Sequence, residues 1–238
     1  MRIEVVPTVE EIRAEQITNR VVIVIDVLRA SSTIVTALGN GFAAVVPVET
    51  TGQANALRTT DVCLAGERHC RKIPGFDFTN SPTELAAQTA AGRQLVLTTT
   101  NGTRAIQKAE RAAHVLIGCF LNATACITHA LSKQLDITLY CAGTRGEFAL
   151  EDGLLAGLLI SLAEKRVASL QLCDLGKALQ ASYLHLADRL PELLPLTTTG
   201  KRLVLHRLAD DLAYCAQVDR YALAPYVTQK RILPHLVS

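Results

Sequence analysis

The sequence lacks several features by which common protein classes are recognised. It has no run of about 18 consecutive apolar residues, so a transmembrane helix is not expected. Its formal net charge is only +2, and this weak charge gives no sign of a surface for nucleic acid or membrane. Residues 1–11 contain acidic side chains and no long apolar region, which argues against a signal or transit peptide. We therefore expect a cytoplasmic protein with no nucleic-acid or membrane partner.

Cysteine and glycine motifs are also missing. The seven cysteines are scattered, odd in number and form no CxxC pair, which favours reduced thiols over disulfides or a zinc site. Neither GxGxxG nor GxxxxGK[ST] occurs, so a dinucleotide fold or a P-loop has no support in the sequence.

The sequence does not match the signatures of three hydrolase classes. The Cys-x5-Arg loop of cysteine phosphatases is absent, since only three residues separate Cys141 from Arg145. A haloacid dehalogenase would carry a second aspartate two residues after Asp26, at the position that Leu28 occupies here. An isochorismatase-like hydrolase is matched loosely by Asp26 and Cys141, but no lysine lies in a corresponding loop.

What the chain has in plenty is apolar sequence, at 49% of 238 residues. Runs rich in Val, Ile and Leu recur at 2–6, 21–26, 43–48, 62–66, 94–98, 114–118 and 137–141. Helical spacing is found at 31–41, 81–92 and 103–113. Because the strand runs are continuously apolar, both faces of the sheet should be buried. We predict an α/β fold, a three-layer α/β/α arrangement with a largely parallel or mixed sheet.

The C-terminal third has a different pattern. From residue 148 onward the spacing is mainly helical, and the region 150–220 either packs on the sheet or forms a helical sub-lobe. The tail 225–236 reads as a short final strand or as irregular chain. No linker or internal repeat interrupts the sequence, so we expect a single domain over 1–238.

Polar residues collect in four loops that follow predicted strands, at 26–32, 66–82, 98–105 and 142–153. Ligands of parallel α/β sheets bind at the carboxyl ends of strands. Each loop carries at least one arginine, a residue well suited to bind phosphate or sulfonate, and the candidates are Arg29, Arg68, Arg104 and Arg145. Four such loops predict a site for a small polyanion.

The loop 98–105 has the clearest anion-binding pattern. Asn101 and Gly102 permit a tight turn, Thr100 and Thr103 supply hydroxyl groups, and a helix N-terminus follows. The same residues also serve as an ordinary helix cap, and the sequence leaves both interpretations open.

Carboxylates accompany these arginines. Glu147 and Glu151 are four residues apart and share a helix face, Asp152 is adjacent, and Asp26 and Glu67 lie in two other loops. Acids near a helix start are usually exposed groups stabilised by the helix dipole. They are also the ligands that Mg²⁺ takes together with phosphate oxygens.

Four motifs in order resemble one family. "VIDVLRASSTIVTAL", "GERHCRKIPGFDFTNSP", "TTTNGTRA" and "CAGTRGEFALEDGLLAG" are similar to those of the 2-phosphosulfolactate phosphatases, the ComB family, over about residues 3–230. The resemblance implies an α/β/α fold and Mg²⁺-dependent hydrolysis of 2-phospho-3-sulfolactate to 3-sulfolactate and phosphate, on the route to coenzyme M. His69 and Cys70 depart from the small residues expected at their positions.

The resemblance and the loops together suggest roles for individual residues. We expect catalytic roles for Asp26, Arg29, Arg104 and Arg145. Substrate contacts are expected from Ser31, Ser32, Arg68, Thr100, Asn101, Gly102 and Thr103. Mg²⁺ ligands are expected among Asp26, Glu67, Glu147, Glu151 and Asp152.

Two other functions stay open at this point. The protein could be a phosphatase of the same family with another small phosphorylated acid as substrate, or a non-catalytic protein that binds small polyanions. Asp26 could act as metal ligand, nucleophile or base. Since such α/β enzymes are often homodimers, we expect a homodimer.

Overall fold

A computed structural model describes residues 1–90 and 92–237. Its main feature is a mixed β-sheet. The strands are Arg2–Val6 (β1), Val21–Ile25 (β2), Ala44–Pro47 (β3), Val62–Arg68 (β4), Arg71–Lys72 (β5), Gln94–Thr98 (β6), His114–Gly118 (β7), Ile137–Cys141 (β8), Gln171–Leu172 (β9), Tyr226–Thr228 (β10) and Arg231–Leu233 (β11). Their order across the sheet is β5-β4-β6-β3-β11-β10-β7-β2-β8-β1-β9.

Helices connect and cover these strands. They are Ala30–Gly39 (α1), Thr51–Ala56 (α2), Pro82–Ala86 (α3), Gly102–Lys108 (α4), Ala123–Ser132 (α5), Leu150–Glu164 (α6), Asp174–Leu186 (α7), Leu190–Leu193 (α8), Thr198–Leu205 (α9) and Ala209–Cys215 (α10). Short 3₁₀ turns lie at Ala14–Gln16, Phe120–Asn122, Ala187–Arg189 and Leu194–Leu196. Every residue of β2 and β8 is buried, so both faces of the sheet are covered. The predicted α/β fold with a mixed sheet between helices is confirmed.

Two predicted helices are shorter than their sequence pattern. The pattern at 81–92 indicated a long helix, of which Ala91 lies outside the described residues, but α3 ends at Ala86. The Asn40 side-chain amide donates hydrogen bonds to the carbonyl oxygens of Leu85 and Ala86 at 3.1 and 2.9 Å, which satisfies carbonyl groups that a longer helix would use itself. Similarly, the helix predicted at 103–113 ends at Lys108.

The C-terminal tail forms a hairpin that joins two groups of parallel strands. β7, β2, β8, β1 and β9 are parallel to one another, as are β3, β6 and β4. The hairpin β10–β11 pairs antiparallel with β7 on one side and with β3 on the other. Traced through three antiparallel pairings, the two groups run in opposite directions. Loops from both groups nevertheless meet at one cavity.

The helices of the C-terminal third pack on the rest of the molecule. α6 lies against β2, β8 and α5, and α7 lies against α6 and β1. α10 packs on α3 and α9. These contacts carry side chains from the helical region to the loops that follow the strands. No helix among the described residues has the length and apolar character needed to cross a membrane.

Candidate active site

A cavity of about 770 Å³ lies where the four arginine-bearing loops meet. Its wall also includes side chains from α9. The predicted site residues that line it are Asp26, Arg29, Glu67, Arg68, Thr100, Asn101, Arg104, Arg145, Glu151 and Asp152. The structure thus brings together residues from loops that are far apart in sequence.

Two contacts explain why these loops meet. Gly102, the first residue of α4, packs so closely on the start of α1 that a Cβ there would lie 2.7 Å from Asp26 Oδ2. The side-chain amide of Asn101 donates a hydrogen bond of 2.9 Å to the carbonyl oxygen of Gly143. The loop after β6 is therefore held against the loops after β2 and β8.

Asp26 is the central acid of the cavity. Its backbone N–H donates to Ser31 Oγ at 2.9 Å, and its Oδ1 accepts from the Ala30 N–H at 3.2 Å. Burial raises the pKa of Asp26 to about 7, opposed by the Ala30 N–H and reinforced by the charges of Glu151 and Glu67. A carboxyl group with this pKa can exchange a proton near neutral pH.

Asp152 and Glu151, which are both buried, complete an acidic group with the partly buried Asp26. Asp152 accepts hydrogen bonds from the backbone N–H groups of Val27 and Gly143 at 2.9 and 3.0 Å. Burial, and then the neighbouring Asp26 and Glu151, raise the pKa of Asp152 well above its usual range. Glu151 is equally buried, and no described residue donates a hydrogen bond to its carboxylate. Buried carboxylates this close together favour either a shared proton or a cation.

Glu67 also lines the cavity and is held by two hydrogen bonds. The Thr100 hydroxyl donates to its Oε1 at 3.1 Å, and the Cys70 N–H donates to its Oε2 at 2.9 Å. The Thr100 bond links the end of β4 to the loop after β6, and the Cys70 bond holds the turn that follows β4.

The acidic group is compatible with Mg²⁺ but does not form a complete ligand set. Among residues 1–90 and 92–237, no cluster of three or more His, Cys, Asp or Glu side chains has the geometry to hold a metal by itself. Mg²⁺ usually needs only one or two carboxylates, and water and substrate phosphate supply the other oxygens. Glu151, whose buried carboxylate lacks a protein donor among the described residues, together with Asp26 or Asp152, fits that requirement.

The four predicted arginines differ in how their charge is balanced. Arg29 is buried and forms an ion pair with Asp211 at 2.6 Å. Arg104 forms a half-exposed ion pair with Glu10 at 3.4 Å. Arg68 donates to the carbonyl oxygens of Glu67 and Glu49 and to the Thr98 hydroxyl. Arg145 forms no ion pair with any described residue, and its backbone has φ +55°.

Five predicted site residues do not line the cavity. The hydroxyl groups of Ser31, Ser32 and Thr103 donate to the backbone carbonyl groups of Val24, Val27 and Thr99, so these three residues hold the first turns of α1 and α4. Gly102 contributes a close helix contact instead of an open binding surface. Glu147 is exposed in a turn whose backbone pairs with that of Thr144.

Sequence reasoning missed three functional candidates in the C-terminal helices. Arg202 and Thr199 of α9 line the cavity, and Asp211 of α10 binds Arg29. A signal was present, since "TTTGKR" at 197–202 repeats the threonine-run and arginine pattern of "TTTNGTR" at 98–104. The pattern at 197–202 was overlooked because it is far in sequence from the strand-end loops.

Cys141 lies behind the cavity wall. It is completely buried, and burial, with Asp152 and Glu151 nearby, raises the pKa of the thiol well above its usual value. The sulfur therefore stays protonated and is a poor nucleophile.

The fold and the cavity define an α/β protein whose site, lined by carboxylates and arginines, suits a small polyanion. Residues 6–230 match the family model described as 2-phosphosulpholactate phosphatase. The chain belongs to that family, and its resemblance to it is confirmed. The family name describes a phosphoric monoester hydrolase.

Curated relatives agree over most of the chain. A protein of Clostridium acetobutylicum named "Probable 2-phosphosulfolactate phosphatase" is 37% identical over 98% of this chain and 100% of its own length. Proteins with the same name from Symbiobacterium thermophilum and Thermotoga petrophila are 37% and 39% identical over 92% and 87% of this chain, and over 96% and 88% of their own lengths.

Proposed function

We propose that this chain is a Mg²⁺-dependent phosphatase that hydrolyses 2-phospho-3-sulfolactate to 3-sulfolactate and phosphate, a reaction on the route to coenzyme M. The observation that carries the proposal is one cavity in which Asp26 and the buried acids Glu151 and Asp152 lie with several arginines. Family membership supplies the substrate class.

The charges of the substrate suit this cavity. A phosphate, a sulfonate and a carboxylate on three carbons carry about four negative charges near neutral pH. Charge-assisted hydrogen bonds from guanidinium groups hold such oxygens well. Arg145 has no carboxylate partner among the described residues, and Arg68, Arg104 and Arg29 surround the same cavity.

The acids have separate tasks in this proposal. Glu151, with Asp26 or Asp152, would hold Mg²⁺, which when bound polarises a phosphoryl oxygen and stabilises the charge that develops during transfer. Asp152 is fixed by the Val27 and Gly143 N–H groups and so keeps the loops after β2 and β8 at a constant separation. Asp26 binds the Ala30 N–H through Oδ1, which leaves Oδ2 for the attacking water or the metal ion.

A phosphate-release assay tests the proposal. Purified protein is incubated with 2-phospho-3-sulfolactate and Mg²⁺, then with EDTA, and then with Mg²⁺ restored in excess. We expect release of phosphate that stops with EDTA and returns with Mg²⁺. Release that EDTA does not affect would contradict the metal requirement.

Other phosphomonoesters separate the alternatives. Hydrolysis of another small phosphorylated acid but not of 2-phospho-3-sulfolactate would remove the proposed substrate and retain the chemistry. Absence of hydrolysis of any ester, together with measurable binding of 3-sulfolactate, would indicate a binding protein instead of an enzyme.

A further inference from the structure

Two of the arginines that line the cavity are neighbours of Thr144, Arg202 by a hydrogen bond and Arg145 in the chain. Arg202 reaches it from α9, where its Nη1 donates to Thr144 Oγ1 at 3.2 Å and its Nη2 to Cys70 Sγ at 3.8 Å. Arg145 follows Thr144 in the chain and lines the same cavity. Neither guanidinium forms an ion pair with a carboxylate in the described part of the chain, so the protein itself leaves both charges uncompensated there.

The other arginines of the cavity are balanced or already bonded. Arg29 is paired with Asp211 and Arg104 with Glu10, and Arg68 donates to two carbonyl oxygens and a hydroxyl. Arg145 and Arg202, like Arg68, therefore have no carboxylate partner in the described part of the chain, and Arg202 donates only to a hydroxyl group and a thiol. Two like charges at one cavity wall repel each other, and a bound anion between them relieves that repulsion.

The acids of the cavity and Arg202 are held by different contacts. Asp26, Glu151 and Asp152 are grouped through the loops after β2 and β8, and the guanidinium group of Arg202 contacts Thr144 and Cys70 instead. The reacting phosphate belongs with the acids, where a metal ion and an attacking water can be held. The part of the cavity near Arg202 is then available for a substrate group that does not react.

We propose that Arg202 is a specificity-determining residue that binds the sulfonate of the substrate, an inference that rests on the proposed function. In 2-phospho-3-sulfolactate the phosphate ester and the carboxylate share one carbon, whereas the sulfonate is on the next carbon and can extend away from the reacting centre. A guanidinium offers a planar pair of donors to two of the three sulfonate oxygens. The Thr144 and Cys70 contacts hold that pair in position.

The test compares Arg202→Gln and Arg202→Lys with Lys201→Gln. Lys201 is the exposed neighbour on α9 and does not line the cavity, so its substitution removes the same charge from the same helix turn. Steady-state kinetics with 2-phospho-3-sulfolactate give KM and kcat. 2-Phospholactate, which lacks the sulfonate, is used as a competing ligand whose inhibition constant is measurable whether or not it is hydrolysed.

For Arg202→Gln we expect KM for 2-phospho-3-sulfolactate to rise about 10- to 100-fold with little change in kcat, as loss of a charged hydrogen-bond partner predicts. The inhibition constant of 2-phospholactate should change less than about threefold, because that ligand makes no contact with Arg202. Arg202→Lys should recover only part of the lost affinity, because lysine restores the positive charge but not the paired donors of the guanidinium. Lys201→Gln should behave as the wild type.

Three results would overturn the proposal. One is an unchanged KM in Arg202→Gln. Another is an equal loss of affinity for both ligands in a variant whose thermal unfolding matches that of Lys201→Gln. A third is a fall in kcat alone, which would place Arg202 with the reacting phosphate. If the wild-type protein does not hydrolyse 2-phospho-3-sulfolactate, the proposed function and this inference both fail.

Discussion

Among single residues, Asp26 combines a fixed backbone with a carboxyl group that titrates near neutral pH. Its N–H and Oδ1 are bonded within the first turn of α1, so the polar side chain at the end of β2 is held in one place. Burial raises its pKa to about 7. The hydrogen bonds and the raised pKa together explain how Asp26 can follow the completely buried strand β2, although no described arginine forms a hydrogen bond with its carboxyl group.

Asp26→Asn should remove nearly all turnover and leave the fold intact. The amide oxygen can still accept from the Ala30 N–H, whereas the amide can neither bind Mg²⁺ as a carboxylate does nor accept a proton from water. We expect kcat to fall about 10²- to 10⁴-fold, measured by phosphate release, with the midpoint of thermal unfolding unchanged or higher. Asp136→Asn, a carboxylate outside the cavity, is the control. Wild-type turnover in Asp26→Asn would exclude Asp26 from the chemistry.

The buried Arg29–Asp211 pair carries a prediction about stability. Asp211 also accepts hydrogen bonds from the Ser81 and Thr83 hydroxyl groups at 2.7 and 2.6 Å. Asp211→Ala would leave a guanidinium that is 3% exposed without a counter-charge. We expect the free energy of unfolding in urea to fall by about 3–5 kcal/mol.

The control for Asp211→Ala is Glu192→Ala, which breaks the exposed pair of Arg189 and Glu192. Exposed pairs contribute little to stability, so its unfolding midpoint should match that of the wild type. A similarly small change in the stability of Asp211→Ala would mean that water can compensate the charge of Arg29 in place of Asp211.

Among the secondary structure elements, the contact between α1 and α4 sets the position of Asp26. A Cβ on Gly102 would lie 2.7 Å from Asp26 Oδ2 and would overlap the Ala30 side chain. Gly102→Ala should therefore push α4 away from α1, displace the Asp26 carboxylate and lower kcat at least about tenfold, as small displacements of catalytic groups do. Gly52→Ala is the control, because a Cβ there meets no atom closer than 3.8 Å. Full activity in Gly102→Ala would show that the cavity tolerates the shift.

The contact between α5 and the C-terminal segment after β11 should depend on pH. The His129 and His235 rings lie 4.1 Å apart. Burial lowers the pKa of His129 to about 4, and Lys133, His235 and His114 add to the shift. Between about pH 6.5 and 4 the unfolded chain thus binds a proton on His129 that the folded chain does not. The contribution of His129 to stability is complete above pH 6.5 and declines as the pH falls through this range.

Replacing His129 with Gln should remove that contribution to the pH dependence. We expect the difference in urea midpoint between pH 7 and pH 4.5 to change in His129→Gln, with the variant losing less stability on acidification than the wild type. His185→Gln on the exposed face of α7 is the control and should follow the wild-type curve. Parallel curves for the wild type and His129→Gln would contradict the assignment.

Several elements could be predicted from sequence because their signal is local. The continuous apolar runs at 21–25 and 137–141 bury both faces, and the sheet contains them as β2 and β8. Helix ends were less predictable, since Asn40 ends α3 from a distant part of the chain. The continuous apolar runs favoured largely parallel pairing, which holds within each strand group, but they did not predict the antiparallel hairpin between the groups.

At the scale of the whole molecule, local sequence patterns predicted the parts of the site but not how tertiary packing brings them together. The four strand-end loops were each recognisable by an arginine, and the cavity does contain residues from all of them. The cavity does not lie at the edge of one parallel sheet, because the two strand groups run in opposite directions on either side of the hairpin β10–β11. Arg202 and Asp211 were missed because they reach the cavity only by tertiary packing of α9 and α10.

The hairpin β10–β11 should also make the two strand groups unfold together. Ile232 is completely buried, pairs with Val45 of β3, and belongs to a core that includes residues from both groups. Ile232→Ala should lower the free energy of opening by about 2–5 kcal/mol. Because the core is continuous, hydrogen exchange should report the same decrease at amides of β2 in one group and β6 in the other. Leu236→Ala, at a side chain that is 79% exposed, should change neither. A decrease confined to β6 would show that the two groups are separate folding units and would contradict the single domain expected over 1–238.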